Sequence, residues 1–247
     1  MKTNLSDFNF DLPLELIAQK PLSKRDHSRL LVVNRENQTL VHDKFTNLYK
    51  HLKPSTLLVF NNTQVIPAKI FATLNHNQKI VELILIRPIS STTWEVLMKG
   101  RMKSGMRLDF QGSSLTGHFV KRNEEYAVIK FSCNQTLNTY LRKFGRMPLP
   151  PYIKRKQGEP AKTLEQDIKR YQTVYASQSG AIAAPTAGLH FTESFLYKLK
   201  ESFLTAQLTL HVGPGTFKPI RTEDYSKHEM EAEAFKITPK NWNLILE

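Results

Sequence analysis

The chain has 247 residues, with 35 Lys and Arg against 22 Asp and Glu, which gives a formal charge of +13. A hydrophobic content of 40% with 23% charged residues excludes a disordered chain, and the length allows one large domain or two modest ones. The single cysteine, Cys133, excludes an intrachain disulfide and a zinc site built on several cysteines.

The N-terminus lacks the apolar run of a signal peptide, and the most apolar stretch, 80–86, is too short to cross a bilayer. We therefore expect a soluble, cytoplasmic protein with no membrane contact, and as a separate expectation a monomer. The excess of Lys and Arg favours a polyanionic partner such as RNA or DNA, although a generally Lys-rich surface gives the same charge.

Near the N-terminus, two short apolar runs at 29–34 and 57–60 predict buried strands of an α/β domain. Short strand-like segments then follow one another without helices, which is typical of a small β-barrel or sandwich. These segments are 65–74, 79–86, 93–98, 106–110, 115–120 and 126–132. We therefore expect a mixed α/β (α+β) domain over 1–61 plus 145–247, into which a β-barrel over 62–144 is inserted.

The C-terminal part predicts a return to α/β structure. A Pro-rich basic segment over 145–156 predicts extended chain, and helical character resumes over 162–176. Thr192 caps a predicted helix over 192–204, which is followed by a strand over 207–212. Thr238-Pro239 is a strong helix start, and the sequence ends soon afterwards, so we expect an interrupted domain.

The first candidate site joins 170–176 to 180–192. Its small residues let a backbone approach a ligand closely, and Thr186 and His190 supply polar groups. A predicted helix follows directly, and free N–H groups at a helix start bind anions. A tight structural loop with a hydrogen-bonded His190 is the alternative, and composition alone favours it.

Two further candidates follow along the chain. Gly213 and Gly215 lie in a Gly-Pro-Gly loop after a predicted buried strand, where α/β proteins place ligand loops, and a simple turn is the alternative. His228 stands close to several carboxylates in the segment 228–233, a spacing that allows proton exchange or metal binding, although composition favours a solvated acidic surface. Because no cluster of His or Cys accompanies it, we expect no metal.

A fourth candidate is a basic run in which Tyr140 and Tyr152 are interleaved, a pattern that favours phosphate contacts combined with base stacking. A solvated surface is the alternative. The basic residues are Arg142, Lys143, Arg146, Lys154, Arg155 and Lys156.

Several segments occur together in an order that is typical of one family. The most specific are Ala-Pro-Thr-Ala-Gly-Leu-His-Phe at 184–191 and Leu-His-Val-Gly-Pro-Gly-Thr-Phe at 210–217. The others are 10–19, 25–31, 59–69, 145–153 and 171–176. Over essentially its whole length the chain resembles the S-adenosylmethionine:tRNA ribosyltransferase-isomerases of queuosine biosynthesis.

This resemblance implies a mixed α/β domain with an inserted β-barrel. It also implies an enzyme, both transferase and isomerase, that moves the ribosyl group of S-adenosylmethionine onto 7-aminomethyl-7-deazaguanine at the wobble position of a tRNA. The products of this tRNA modification are epoxyqueuosine-tRNA, adenine and methionine. S-adenosylmethionine is then a co-substrate, the partner is this tRNA, and no metal is implied.

Within the matching motifs, the resemblance points to titratable groups for proton transfer and to other groups for substrate binding. The expected catalytic residues are His190, His211, His228 and Glu233, and which of them is the general base stays open. The expected substrate-binding residues are Tyr171, Gln172, Thr173, Pro185, Thr186, Gly188, Gly213, Gly215 and Thr216. The basic run is expected to bind tRNA.

Three positions depart from the family pattern. Gln64 and Lys69 stand where arginines are usual, and Glu231 stands in place of a histidine. Family members also continue past this C-terminus, with a G-T-T-S-V-R-like and an N-F-H-L-P-like block that do not occur here. We therefore expect a C-terminally shortened member of the family. The alternatives are an inactive remnant that retains tRNA binding and one half of a split enzyme.

Overall fold

The computed structural model describes residues 4–123, 125–132, 137–156 and 158–247, so Cys133 lies outside the described residues. The strands are β1 (Arg29–Asn34), β2 (Thr39–Lys44), β3 (Leu58–Asn61), β4 (Thr63–Val65), β5 (Lys69–Leu74), β6 (Ile80–Pro88), β7 (Thr93–Met98), β8 (Arg107–Asp109), β9 (Thr116–Arg122), β10 (Ala127–Ser132), β11 (Gln178–Ala181), β12 (Thr205–Leu210) and β13 (Phe235–Lys236). The α-helices are α1 (Leu137–Phe144), α2 (Ala161–Arg170), α3 (Glu193–Ser202) and α4 (Pro239–Leu246).

The chain forms two compact units. The first unit consists of Met1–Gln64, Pro150–Gly158 and Lys169–Glu247, and the second, the barrel unit, consists of Val65–Leu149 and Glu159–Ile168. These bounds differ by a few residues from the division expected from the sequence, and the segment 159–168 groups with the barrel. As a statement about domains, the expected division stays a prediction.

The barrel unit contains a closed antiparallel barrel with the strand order β10-β7-β6-β5-β8-β9. Alternating side chains fill its interior, since Ile70, Ala72 and Leu74 of β5 are buried while the residues between them are half-exposed. Leu83 and Leu85 of β6 are fully buried in the same way. The predicted fold class, mixed α/β with an inserted β-barrel, is confirmed.

An aromatic cluster forms the core of the first unit. Its buried members are Phe45, Phe60, Phe191, Phe195, Leu196 and Leu199. The Phe191 ring centroid lies 4.9 Å from that of Phe45 and 5.4 Å from that of Phe60, both edge to face. Because Phe191 directly follows His190, the core fixes the end of the turn that carries this histidine.

Strand β12 lies beside this core, parallel to β3 and antiparallel to β13. The predicted helix after Thr192 is confirmed as α3, since Thr192 Oγ1 accepts a hydrogen bond from the Phe195 backbone N–H. The buried side chains of α3, which are Phe195, Leu196 and Leu199, face the aromatic cluster. The α3 cap and the apolar spacing behind it therefore place this helix on the core.

The predicted strand at 29–34 exists, but its predicted burial is wrong. Among the described strands, β1 pairs only with β2, in an antiparallel hairpin, and it exposes 52% of Leu31 and 57% of Val33. Leu40, which lies opposite Val33 on β2, is 64% exposed. Only alternate residues such as Leu30 pack towards the aromatic cluster. An apolar run identifies a strand, whereas neighbouring elements decide whether both faces are covered.

Helix α2 ends earlier than the predicted helix over 162–176, at Arg170. The backbone carbonyls of Lys169 and Arg170 accept hydrogen bonds from the Arg25 side chain. The β-branched Thr173 and Val174 that follow also have low helix propensity. These two effects end the helix and leave 171–176 as irregular chain.

Helix α4 begins at the predicted cap. Thr238 Oγ1 accepts a hydrogen bond from the Asn241 backbone N–H, and Pro239 occupies the first helical position. The Asn241 side chain donates to the Gln207 carbonyl of β12 at 2.7 Å, which ties the helix to the sheet. Within the described ranges, no helix has the length and apolar character that a membrane span requires.

The carboxylate of Asp43, at the end of β2, is held by three donors. It accepts three hydrogen bonds of 2.7 Å, from the side chains of Asn47 and His51 and from the backbone N–H of Lys44. These hydrogen bonds stabilise the charged form and hold the pKa of Asp43 well below its ordinary value.

We predict that Asp43→Asn lowers the urea midpoint of unfolding at pH 7 and that this loss shrinks at pH 3. Because the folded pKa is depressed, the stabilisation is complete above the unfolded pKa of about 3.9 and is lost as the pH falls through the folded value. The exposed Asp11→Asn is the matched control and has no comparable effect at pH 7. An Asp43→Asn effect of equal size at both pH values contradicts this account.

Candidate active site

The segment after α2 and the turn before α3 meet at Gly188. A Cβ atom on Gly188 would lie 2.1 Å from the Tyr175 hydroxyl oxygen and 2.8 Å from Thr173 Cγ2, so no larger residue fits. The structure thus brings together Thr173 and Gly188, which the sequence predicts as substrate-binding residues. It adds Tyr175, which the sequence analysis did not single out.

The segment after α2 carries three hydroxyl groups of low accessibility, on Tyr171, Thr173 and Tyr175. Tyr171 and Thr173 are buried, and burial raises the pKa of Tyr171 above its ordinary value and that of Tyr175 to about 12. Both phenols therefore stay protonated at neutral pH. The Thr173 hydroxyl has no hydrogen-bond partner within the described ranges, although buried polar groups are nearly always paired.

His190 is half-buried at the end of the 3-10 helix Thr186–His190. Its ring centroid lies 5.2 Å from that of Phe45, so the aromatic cluster limits its movement on one side. The N-terminus of α3, which follows His190, offers an anion fewer free N–H groups than expected. The Thr192 side chain already accepts a hydrogen bond from the Phe195 N–H. Of the other expected residues, Thr186 is exposed, and Pro185 and Gln172 are half-buried.

Arg25 ties these two segments together. Its guanidinium donates to the backbone carbonyls of Lys169 at 2.7 Å, Gln172 at 2.8 Å and Leu189 at 3.2 Å, with a longer contact to Arg170 at 3.4 Å. The planar fork of an arginine allows several such bonds at once. Sequence reasoning missed Arg25, because its partners lie 144 to 164 residues away.

Arg170 makes the reciprocal connection. Its guanidinium donates to the carbonyls of Leu22 at 2.7 Å and Ser23 at 3.1 Å, just before Arg25 in the chain. Burial, and to a smaller extent the positive charge of Arg170, lowers the pKa of Arg25. Each arginine side chain therefore binds backbone carbonyls in the segment that carries the other arginine. These hydrogen bonds fix the segment after α2 against the N-terminal region.

The Gly-Pro-Gly loop forms a second group of expected residues. The Gly213 backbone N–H donates to Glu233 Oε1 at 2.7 Å, so a predicted binding residue and a predicted catalytic residue meet. Gly215 and Thr216 follow in the 3-10 helix Pro214–Phe217, with Thr216 exposed. Glu233 is half-buried, and this hydrogen bond orients its carboxylate.

His211, at the start of the same loop, is held by a residue that the sequence analysis missed. Thr63, which is fully buried, places Oγ1 2.8 Å from His211 Nδ1. The only sequence signal was that Thr63 lies in the matching segment 59–69. The two residues are 148 positions apart, and no local pattern predicts their contact.

His228 stands apart from these contacts. It is half-buried, and its side chain makes no hydrogen bond or ring contact within the described part of the chain. Glu231, in the position where the family has a histidine, pairs with Lys218. Among the described residues, no group of three or more His, Cys, Asp or Glu is arranged to hold a metal ion.

The basic run is divided between the two units. Arg142 and Lys143 are exposed on α1 of the barrel unit, where the Arg146 guanidinium lies 4.8 Å from the Phe71 ring centroid. Lys69, which replaces a family arginine, pairs there with Glu82 at 2.7 Å.

In the first unit, the Gln19 side chain accepts a hydrogen bond from the Lys154 backbone N–H, and the Gln19 carbonyl accepts one from Arg155. Lys156 is exposed. The expectation that Tyr140 stacks on bases is wrong, because only 4% of it is exposed and it packs on Phe110 in the barrel unit. Tyr152 remains half-exposed, at 51%.

We predict that Arg25→Lys lowers the free energy of unfolding by about 1–3 kcal/mol, because an ammonium group cannot reach all the carbonyls that the guanidinium binds. Arg35→Lys, in the exposed β1–β2 turn, is the matched control and has little effect. Urea denaturation measures both variants. Equal effects of the two substitutions would show that the Arg25 bonds do not stabilise the site.

Comparison with known proteins gives one family. A model of the family described as "Queuosine biosynthesis protein" matches residues 5–247. The S-adenosylmethionine:tRNA ribosyltransferase-isomerase of Carboxydothermus hydrogenoformans is 45% identical over 236 residues, which are 94% of this chain and 67% of that protein. The protein of the same name from Sulfurihydrogenibium sp. is 41% identical over 98% of this chain and 70% of its own length.

Among solved structures, the S-adenosylmethionine tRNA ribosyltransferase of Thermotoga maritima is 28% identical, with a TM-score of 0.33 over 84% of this chain and 59% of that chain. The chain thus spans 67% and 70% of the lengths of the two relatives named above. The family match and the sequence identities to these two relatives lead to one conclusion: the chain belongs to the queuosine biosynthesis family of S-adenosylmethionine:tRNA ribosyltransferase-isomerases.

Proposed function

We propose that this protein transfers and isomerises the ribosyl group of S-adenosylmethionine onto 7-aminomethyl-7-deazaguanine at the wobble position of a tRNA. The products are epoxyqueuosine-tRNA, adenine and methionine. The observation that carries the proposal is the family match over residues 5–247, within which the predicted site motifs lie. S-adenosylmethionine serves as the ribosyl-donating co-substrate, and no metal takes part.

The chemistry needs a base and a proton donor in a cavity that limits water. The sulfonium acidifies the adjoining 5′-methylene, so a base removes a proton there and the ylide opens the ribose and expels adenine. The deazaguanine amine then attacks C1′, and closure of the epoxide expels methionine. We assign the proton transfers to His190, His211, His228 and Glu233.

The contact at Gly188 supports a substrate-binding role for its neighbours. Leaving the buried Thr173 hydroxyl unpaired costs about 1–3 kcal/mol, and a polar group of a bound substrate would remove that cost. Tyr171 and Tyr175 stay protonated, so both can donate hydrogen bonds to a substrate. We propose the same binding role for the small and polar residues of both loops, which are Gln172, Pro185, Thr186, Gly188, Gly213, Gly215 and Thr216.

We propose that the exposed cations of the basic run bind the tRNA phosphates. The net charge of +13 supports an RNA partner, since clustered Lys and Arg release counterions from a polyanion. The monomeric state and the cytoplasmic location stay predictions, and light scattering on the purified chain measures the first of these.

We predict that His190→Ala reduces adenine release by at least about 100-fold, the scale of a lost general acid or base. The assay combines the purified chain, S-adenosylmethionine and tRNA that carries 7-aminomethyl-7-deazaguanine. His76→Ala, on the exposed β5–β6 turn, is the control and keeps normal release. A folded His190→Ala variant with near-normal release would remove His190 from the mechanism.

We also predict that replacing Arg142, Lys143 and Lys156 together by Ala weakens tRNA binding and makes its salt dependence shallower. Each lost phosphate contact lowers the slope of log affinity against log salt concentration by about 0.7–0.9. The control replaces the exposed Lys198, Lys200 and Lys240, which lie on α3 and α4. If both triple variants bind with the wild-type slope, the assigned surface is wrong.

A further inference from the structure

The His211 ring is fixed on two sides by residues of β4 and β11. On one side, Thr63 Oγ1 lies 2.8 Å from Nδ1. On the other, a Cβ atom at Gly180 would lie 2.7 Å from His211 Cε1 and 2.9 Å from each ring nitrogen. Gly180 has a φ of +155°, which also disfavours any residue with a side chain. The ring position therefore depends on Thr63 and on the absence of a side chain at Gly180.

The Thr63 hydroxyl connects His211 to a fixed acceptor. Its oxygen lies 2.8 Å from His211 Nδ1 and 3.5 Å from the carbonyl oxygen of Gln178. A carbonyl only accepts, so a hydroxyl that donates to Gln178 must itself accept from Nδ1–H. Since Thr63 is fully buried, its hydroxyl proton needs a partner within the protein, and two acceptors are in reach: the Gln178 carbonyl at 3.5 Å and, in the other His211 tautomer, the bare Nδ1 at 2.8 Å.

The other ring nitrogen is open. His211 Nε2 has no hydrogen-bond partner within the described ranges, and it is not one of their fully buried unpaired atoms, so it keeps some exposed surface on the half-buried ring. A histidine that is anchored through Nδ1–H and open at Nε2 has the arrangement of a general base.

We propose that Thr63 is a positioning residue that holds His211 as the Nδ1–H tautomer, with the Nε2 lone pair free to act as the general base. This inference rests on the proposed function. The proton passes from the 5′-carbon of S-adenosylmethionine to Nε2, and the C–H electron pair stays on that carbon beside the sulfonium. His211 becomes an imidazolium, which the Thr63 oxygen stabilises by continuing to accept from Nδ1–H.

The test compares Thr63→Val, which keeps the shape and removes the hydroxyl, with Thr63→Ser, which restores the hydroxyl. Thr73→Val, on β5 of the barrel unit, is the matched control. Two-bond ¹H–¹⁵N spectra of labelled protein report the His211 tautomer, with its signals assigned by their loss in His211→Gln. The adenine release assay gives kcat and KM for each variant.

We expect the Nδ1–H tautomer in the wild type and a shift towards Nε2–H in Thr63→Val, because valine offers Nδ1–H no acceptor. In that variant kcat falls about 10- to 100-fold with little change in KM, since an orienting partner is lost rather than a substrate contact. Thr63→Ser recovers both the tautomer and kcat, and Thr73→Val matches the wild type.

An Nε2–H tautomer in the wild-type spectrum would overturn the proposal without any variant, even if Thr63→Val does not fold. A folded Thr63→Val with unchanged tautomer and kcat would overturn it as well. If the wild type has the Nδ1–H tautomer but releases no adenine, the proposed function fails, while the positioning of His211 by Thr63 stands.

Discussion

The guanidinium of Arg25 binds backbone carbonyls on both sides of the first site, at Gln172 and at Leu189. Between these anchors along the chain lie the Thr173 hydroxyl, which has no hydrogen-bond partner among the described residues, and the close contact of Tyr175 with Gly188. These features need the two segments at a fixed separation, which main-chain hydrogen bonds to a planar cation provide. Phe191, buried in the aromatic cluster, also fixes the C-terminal end of this turn, next to His190.

Much of the fold follows from patterns within a few residues of sequence. Alternation predicts the barrel strands, and the hydroxyls of Thr192 and Thr238 mark the starts of α3 and α4, because a cap acts only on the first turn of its own helix. The burial of β1 was not predictable in this way. Whether Leu31 and Val33 are covered depends on neighbouring elements rather than on the run itself.

The candidate site shows the same difference between local sequence patterns and contacts of distant residues. The family motifs predict site roles for Thr173, Gly188, Gly213 and Glu233, because each of these residues lies inside a short matching segment. The residues that hold them were missed, because the contacts of Arg25 with Leu189 and of Thr63 with His211 join positions 164 and 148 apart. The prediction that Tyr140 stacks on bases was wrong for the opposite reason. Its basic neighbours in sequence suggest an exposed ring, whereas the amphipathic helix α1 buries it.

The proposed activity of the chain is the formation of epoxyqueuosine on tRNA. The most direct measurement is mass spectrometry of nucleosides from tRNA bearing 7-aminomethyl-7-deazaguanine, after incubation with the purified chain and S-adenosylmethionine. We expect the epoxyqueuosine nucleoside to appear, with one methionine and one adenine released per modified tRNA. Unmodified 7-aminomethyl-7-deazaguanine after incubation with a demonstrably folded, tRNA-bound protein would contradict it.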